Sequence, residues 1–255
     1  MASLRCIPFA NRNHIIVPRR FPFLVAALTV LASAIALIPG AATAFQYDRG
    51  AIAAGQLWRL VTGHWAHWGG EHLAWDLLVF AVFGALLERR SRRTFALVVA
   101  GSALAISAAL WFAAPQFQLY RGLSGVDSAL FTAFFAQLLR DAWHERSPLQ
   151  GSVPALALAG FVGKSAYELA TGATLFVDTS AAFVAVPLAH LAGAAVGLVV
   201  GSRLFAERRC PRQLTHATAL RATPPTLDSL PGGSASRWLD QANPRRATSS
   251  SSQPR

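Results

Sequence analysis

The sequence predicts an all-α polytopic membrane protein, a bundle of six membrane-crossing helices. Three observations lead there. Apolar residues make up 53% of the 255-residue chain and charged residues only 14%, far from a soluble profile. Six apolar stretches come close to the roughly 20 residues that cross a bilayer. The arginines fall in short clusters between those stretches, as they do in loops flanking membrane helices.

Taken in order, residues 1–20 form a basic cytoplasmic N-terminus, with Arg5, Arg12, Arg19 and Arg20. The first apolar segment runs Phe21–Pro39. A basic stretch, an apolar run and then Ala42-Thr43-Ala44 also fit a signal peptide, but the run exceeds the usual ~7–15 residues, which favours an uncleaved span. A linker, Gly40–Glu71, follows. It carries Tyr47, Trp58, Trp65 and Trp68, rings that favour the membrane–water boundary, and reads as a loop resting at the interface. The remaining segments are His72–Glu88, Thr94–Ala113, Ser124–Arg140, Val153–Thr171 and Ser180–Phe205. Several are rich in Gly, Ala and Ser, which let membrane helices approach closely. The membrane domain is thus expected over residues 21–205. Residues 206–255 are expected to form a disordered cytoplasmic tail, because from Pro211 onward Pro, Ser, Thr, Arg and Gly dominate and no apolar period persists.

Orientation follows from the basic residues. Of 23 lysines and arginines, only Arg49, Arg59 and Arg121 fall on one side, Lys164 lies in a span, and the other 19 lie on the opposite side. That bias puts both termini in the cytoplasm. A net charge of +11 invites a nucleic-acid reading, but no basic patch sits on a soluble domain, so nucleic acid is not an expected partner. Cys6 and Cys210 form no metal-binding or disulfide pattern.

Ionisable residues inside spans are expensive, roughly 2.5–3.5 kcal/mol each at a helix centre, so each needs a reason. They are His72 and Asp76 in the second segment, Asp127 in the fourth, Lys164 and Glu168 in the fifth, and His190 in the sixth. Ser124 joins them by context, in Gly122-Leu123-Ser124-Gly125 where a loop becomes the fourth helix. A hydroxyl needs a base within hydrogen-bond reach to become a nucleophile. Ser124 and His190 are expected on the same face of the membrane, both submerged in its outer half. Gly193 and Gly197, one turn apart, give the sixth helix a small-residue face for tight packing. Taken singly, a serine between glycines or a membrane histidine is more often a packing residue than a catalytic one. Lys164 and Glu168, at i and i+4, can pair across one turn of helix.

Several ordered blocks resemble the rhomboid family of intramembrane serine proteases, over roughly Trp58 to Val200. Trp58-Arg59-Leu60-Val61-Thr62 is similar to the family's W-R-x-x-T. His67 and His72 match its spacing before the second span, and Gly84 with Glu88 its G-x-x-x-E. Gly122-Leu123-Ser124-Gly125 resembles the nucleophile motif, and His190-Leu191-Ala192-Gly193 with Gly197 the histidine motif. The resemblance implies a six-helix rhomboid-like bundle in a membrane, expected to be a bacterial inner membrane. It implies a Ser124–His190 dyad without an acidic third member, and an oxyanion site at Ser124, His72 and their surroundings, Gly122 among them. The implied partners are membrane-anchored protein substrates and the lipid bilayer itself, with no metal or organic cofactor.

Two residues depart from the family pattern. Asp76 stands where relatives usually carry an Asn that donates to the oxyanion, and is expected to be either a protonated donor or peripheral to catalysis. Ser128 stands where many relatives place an aromatic residue or His. The polar fifth segment is similar to that of rhombosortases, a branch that processes proteins with C-terminal Gly-Gly sorting segments. The alternatives are a catalytically inactive relative that binds client transmembrane helices and, further off, a small-solute transporter.

Overall fold

A helix occupies each of the six apolar segments in the computed structural model, which describes residues 21–171 and 187–203. These helices are α1 (Phe23–Leu37), α5 (Gly70–Arg90), α6 (Arg92–Ala113), α7 (Ser124–His144), α8 (Pro148–Thr171) and α9 (Pro187–Arg203). Three expectations lie outside the described residues: the basic N-terminus, the beginning of the sixth segment at Ser180, and the tail. The chain divides into two units, Met1–Arg209 and Cys210–Arg255, and everything described belongs to the first. By length and apolar character, α5 and α6 can each cross a membrane, whereas α1 and α9 are apolar but shorter over the described residues.

Local sequence explains where the helices begin. Ser91 ends α5 and starts α6 in one step, its hydroxyl accepting the Thr94 N–H at 3.2 Å. Pro148 opens α8, where a missing N–H is not needed. Glu88 performs a longer-range version of the same task. Its carboxylate accepts the backbone N–H groups of Leu24 and Val25 at 3.1 and 2.9 Å, at the start of α1, and receives Arg92 Nε at 3.0 Å. Gly84, one turn before Glu88, lets Val25 and Phe95 close over it. The G-x-x-x-E pattern therefore docks α1 against α5. At the same end of the bundle Arg90 pairs with Asp141 at 2.8 Å, joining α5 to α7.

The linker after α1 is more ordered than a loop. It contains α2 (Ala41–Phe45), β1 (Tyr47–Asp48), α3 (Arg49–Ala53), α4 (Arg59–Thr62) and a 3-10 turn at Gly63–Trp65. Two of its four rings, Tyr47 and Trp65, are buried in protein, while Trp58 and Trp68 are 53% and 38% exposed. The expectation of four boundary rings is corrected accordingly: half of them form the linker's own core. In the W-R-x-x-T block, Arg59 Nη1 donates to the carbonyls of Thr43 and Gln46, and the Thr62 hydroxyl to that of Phe45. These bonds satisfy carbonyls around the end of α2 that no helix would otherwise use.

The three arginines on the sparsely charged side are all committed to this region. Arg49 donates to the carbonyls of Leu110 and Trp111 and stacks over the Trp111 ring, capping the end of α6. Arg121 donates to Gln46, Thr43 and the His67 carbonyl and lies 4.3 Å from the Trp68 ring centre. His64 joins the linker to α6 through Nε2, which donates to the Ala103 carbonyl at 2.9 Å. Burial lowers the His64 pKa to about 4, so it is neutral at ordinary pH.

Candidate active site

The segment leading into α7 is fixed before the helix begins. β1 pairs antiparallel with β2 (Leu119–Tyr120), Tyr47 opposite Tyr120 and Asp48 opposite Leu119. Tyr120 is buried, and its hydroxyl donates to the Gly122 carbonyl at 3.1 Å. Burial, reinforced by the charges of Asp76 and Asp127, pushes this phenol up and keeps it neutral. Gly122 adopts φ +133°, which side chains rarely tolerate. A Cβ there would also stand 2.9 Å from Cε1 of His72. Both constraints demand glycine two residues before Ser124, the first residue of α7.

His190 is placed by the contact between α7 and α9. Gly193, Gly197 and Gly201 lie one turn apart on α9. A Cβ on them would collide with the backbone carbonyls of Gly125, Ala129 and Ala133 on α7. With only hydrogens there, the two backbones touch. The Thr132 hydroxyl spans the seam, within 2.8 Å of the Ser128 carbonyl and 3.1 Å of the Ala194 carbonyl. One turn before Gly193, His190 projects from the same helix. Its Nε2 lies 3.1 Å from Ser124 Oγ, a hydrogen bond between residues 66 apart in the chain. Ser128 does not reach the imidazole; it donates back to the Ser124 carbonyl at 2.8 Å.

A buried polar cluster lies on the α5 side of the serine. Asp76 Oδ2 accepts the backbone N–H of Leu123 at 2.9 Å. The same oxygen is 3.1 Å from His67 Nε2 and 3.2 Å from His72 Nε2. Asp76 is therefore an acceptor at this oxygen, holding the residue before Ser124 and bonding the His67 imidazole, with His72 within ion-pairing distance. The two rings meet edge to face, with centroids 5.2 Å apart. The resemblance implies His72 at the oxyanion site, whereas in the sequence His67 is a spacing match only.

The other side holds a residue whose position the sequence does not reveal. Glu168 on α8 is buried, and its Oε2 lies 3.5 Å from His190 Nδ1. Its Oε1 accepts Lys164 Nζ at 2.6 Å. The i, i+4 pairing was legible in the sequence; the approach to His190 depends on how α8 packs, which no local pattern encodes. Asp127 is buried on α7, one turn after Ser124. Among the described residues, no group of three or more His, Cys, Asp or Glu side chains is arranged to hold a metal ion.

The fold and this site define a class: a helical membrane bundle with a hydroxyl and an imidazole bonded across a helix seam. The rhomboid domain family model matches residues 54–207, more than half of the chain. The protein belongs to the rhomboid family and is an integral membrane protein. A comparison with curated proteins finds no match.

Proposed function

We propose that this protein is an intramembrane serine endopeptidase that cuts membrane-anchored proteins near the extracytoplasmic face. The observation that carries the reading is the 3.1 Å hydrogen bond between His190 Nε2 and Ser124 Oγ. In this mechanism Oγ attacks the scissile carbonyl while Nε2 takes its proton. Nε2 then returns the proton to the leaving amine, and an acyl-enzyme remains on Ser124. Water, deprotonated by His190, attacks the ester; the carboxylic acid leaves and Oγ regains its proton.

The oxyanion forms beside the start of α7, where the Ser124 N–H and the positive end of the helix favour negative charge. His72, packed against Gly122, is the side-chain donor. Of the two expectations for Asp76, protonated donor or peripheral residue, this reading takes the second: it acts behind the oxyanion site by holding Leu123 and His67.

The topology that goes with this reading has six spans and both termini in the cytoplasm. Docking of α1 through Glu88 supports keeping the first span in the mature protein. Substrate entry is assigned to movement of α8 or the linker, because a bound helix must unwind before its carbonyls become available. Within the family, the polar pair on α8 supports placement among the rhombosortases. Cleavage of a fusion bearing a C-terminal Gly-Gly segment, compared with one lacking it, tests that finer assignment.

The main experiment is reaction with a fluorophosphonate serine probe alongside cleavage of a transmembrane fusion in proteoliposomes. Labelling and cleavage are expected in the wild type and absent in both Ser124→Ala and His190→Ala. Cleavage that persists in Ser124→Ala refutes the proposal. Client binding without cleavage in the wild type points to an inactive relative.

A further inference from the structure

The imidazole of His190 has two nitrogens on opposite edges, and only one is used by Ser124. The other, Nδ1, faces Glu168 Oε2 at 3.5 Å. That is long for a hydrogen bond, but such contacts in unliganded enzymes often tighten when substrate binds. Among the described residues, Glu168 is the carboxylate within ion-pairing distance of His190.

The remaining charged groups on the helices around α9 are accounted for elsewhere. On α6 they are Arg92 and Arg93 in the first turn. On α7, Asp141 pairs with Arg90, and Arg140 donates to the Ser202 carbonyl and to His144. Asp127 is buried on α7, and α8 supplies Lys164 and Glu168.

We infer that Glu168 is a positioning residue for His190, so that the protease proposed above works as a Ser124–His190–Glu168 triad with Lys164 as its counter-cation. The inference rests on that reading of the site. Its physical content is a division of labour on one carboxylate. Lys164 Nζ holds Oε1 at 2.6 Å, which fixes the rotamer of Glu168 and leaves Oε2 turned towards the imidazole. Oε2 favours the proton on Nδ1, so the lone pair of Nε2 points at Ser124 Oγ. When Nε2 takes the serine proton, the carboxylate stabilises the imidazolium that results. A lone carboxylate within a bilayer would be costly, and Lys164, one turn away, lowers that cost. Three helices thus each supply one member: α7 the hydroxyl, α9 the imidazole and α8 the carboxylate.

A purely structural ion pair makes a different prediction, and the double variant Lys164→Leu/Glu168→Leu separates the two. Replacing a buried ion pair with apolar residues is often neutral or stabilising, so this variant is expected to fold with an unchanged or higher melting temperature. The proposal expects kcat in proteoliposomes to fall about 10- to 100-fold, with KM changed by less than about threefold, as for a group that acts in the chemical step. The 15N resonances of His190 should report loss of the Nδ1-protonated tautomer. Glu168→Gln, which keeps an acceptor oxygen, should recover part of the lost rate.

Wild-type kcat in the folded double variant overturns the inference, as does an unchanged tautomer. Failure of both variants to fold also overturns it, because the pair is then structural. The protease reading fails separately, through Ser124→Ala. A wild type that reacts at Ser124 while the double variant matches it removes only the role of Glu168.

Discussion

The contact of α7 with α9 and the attachment of α8 solve the same problem, holding a helix in a bundle, by opposite means. Along the seam, backbone lies against backbone: three glycines on α9 meet three carbonyls on α7, and the Thr132 hydroxyl bridges them. α7 buries ten of its 21 residues. α8 buries three of its 24, Pro154, Ser165 and Glu168, and two of those are polar. Its apolar side chains point outward, Val153, Leu156 and Val162 being 64%, 72% and 65% exposed. On the proposed six-span topology those surfaces meet lipid tails, which are as apolar as another helix, so little drives α8 inward except the fit of its few buried residues. The difference teaches where precision is kept. The Ser124–His190 distance depends on the seam, which cannot slide without a clash, whereas the Glu168 contact depends on a helix with few buried residues.

The comparison breaks most sharply at Gly197. A Cβ there meets the Ala129 carbonyl and the Thr132 hydroxyl together, so Gly197→Val must push α9 away from α7. Overpacking of this kind costs on the order of 3 kcal/mol, with backbone movement. Loss of fluorophosphonate labelling and a large drop in the melting temperature in detergent are expected. A labelled variant melting within a degree or two of the wild type would show that the seam yields as easily as α8 does.

An intermediate effect is expected at Asp76, which secures the start of α7. In Asp76→Ala the buried Leu123 N–H loses its acceptor, and an unsatisfied group of that kind costs about 1–3 kcal/mol. Asp76→Asn retains a carbonyl oxygen for the same N–H, and is expected to keep both the fold and Ser124 reactivity. Equal damage in the two variants, measured as melting temperature and labelling rate, would mean that the acceptor role is not what matters. The pair therefore distinguishes positioning through Leu123 from a requirement for carboxylate charge.

Most of the helical framework was legible because span length and apolar character are local properties. Each apolar segment contains a helix, with ends shifted by a few residues at positions such as Gly70 and Pro148. The Gly193/Gly197 face could be read because its spacing along a helix is itself the signal, whereas Ser124 and His190 stand out only through context and their resemblance to the family's motifs. The linker was harder. Its core depends on Tyr47 meeting Tyr120 across a two-residue strand pair, a contact between positions 73 residues apart that no periodicity announces. The position of Glu168 was hidden for a related reason. Its partner Lys164 lies one turn away and gives it a sufficient explanation, while His190 is on another helix. Asp76 could be recognised as a departure, but its role as acceptor for Leu123 required knowing where that N–H points.

The smallest effect should come from the outer face of α8, where the comparison predicts tolerance. Leu156→Ala removes a side chain that is 72% exposed and touches little protein. In lipid the shortened side chain is replaced by acyl chains of similar character, so no cavity forms. The change in stability is expected to stay within about 0.5 kcal/mol, as for most substitutions away from packed features. Melting temperature in lipid nanodiscs measures this directly. A destabilisation comparable to that of a core leucine, on the order of 3 kcal/mol, would mean that this face is covered by another protein segment. The seam would then no longer be distinguished from α8 by burial, and the freedom assigned to α8 as the moving element would lose its physical basis.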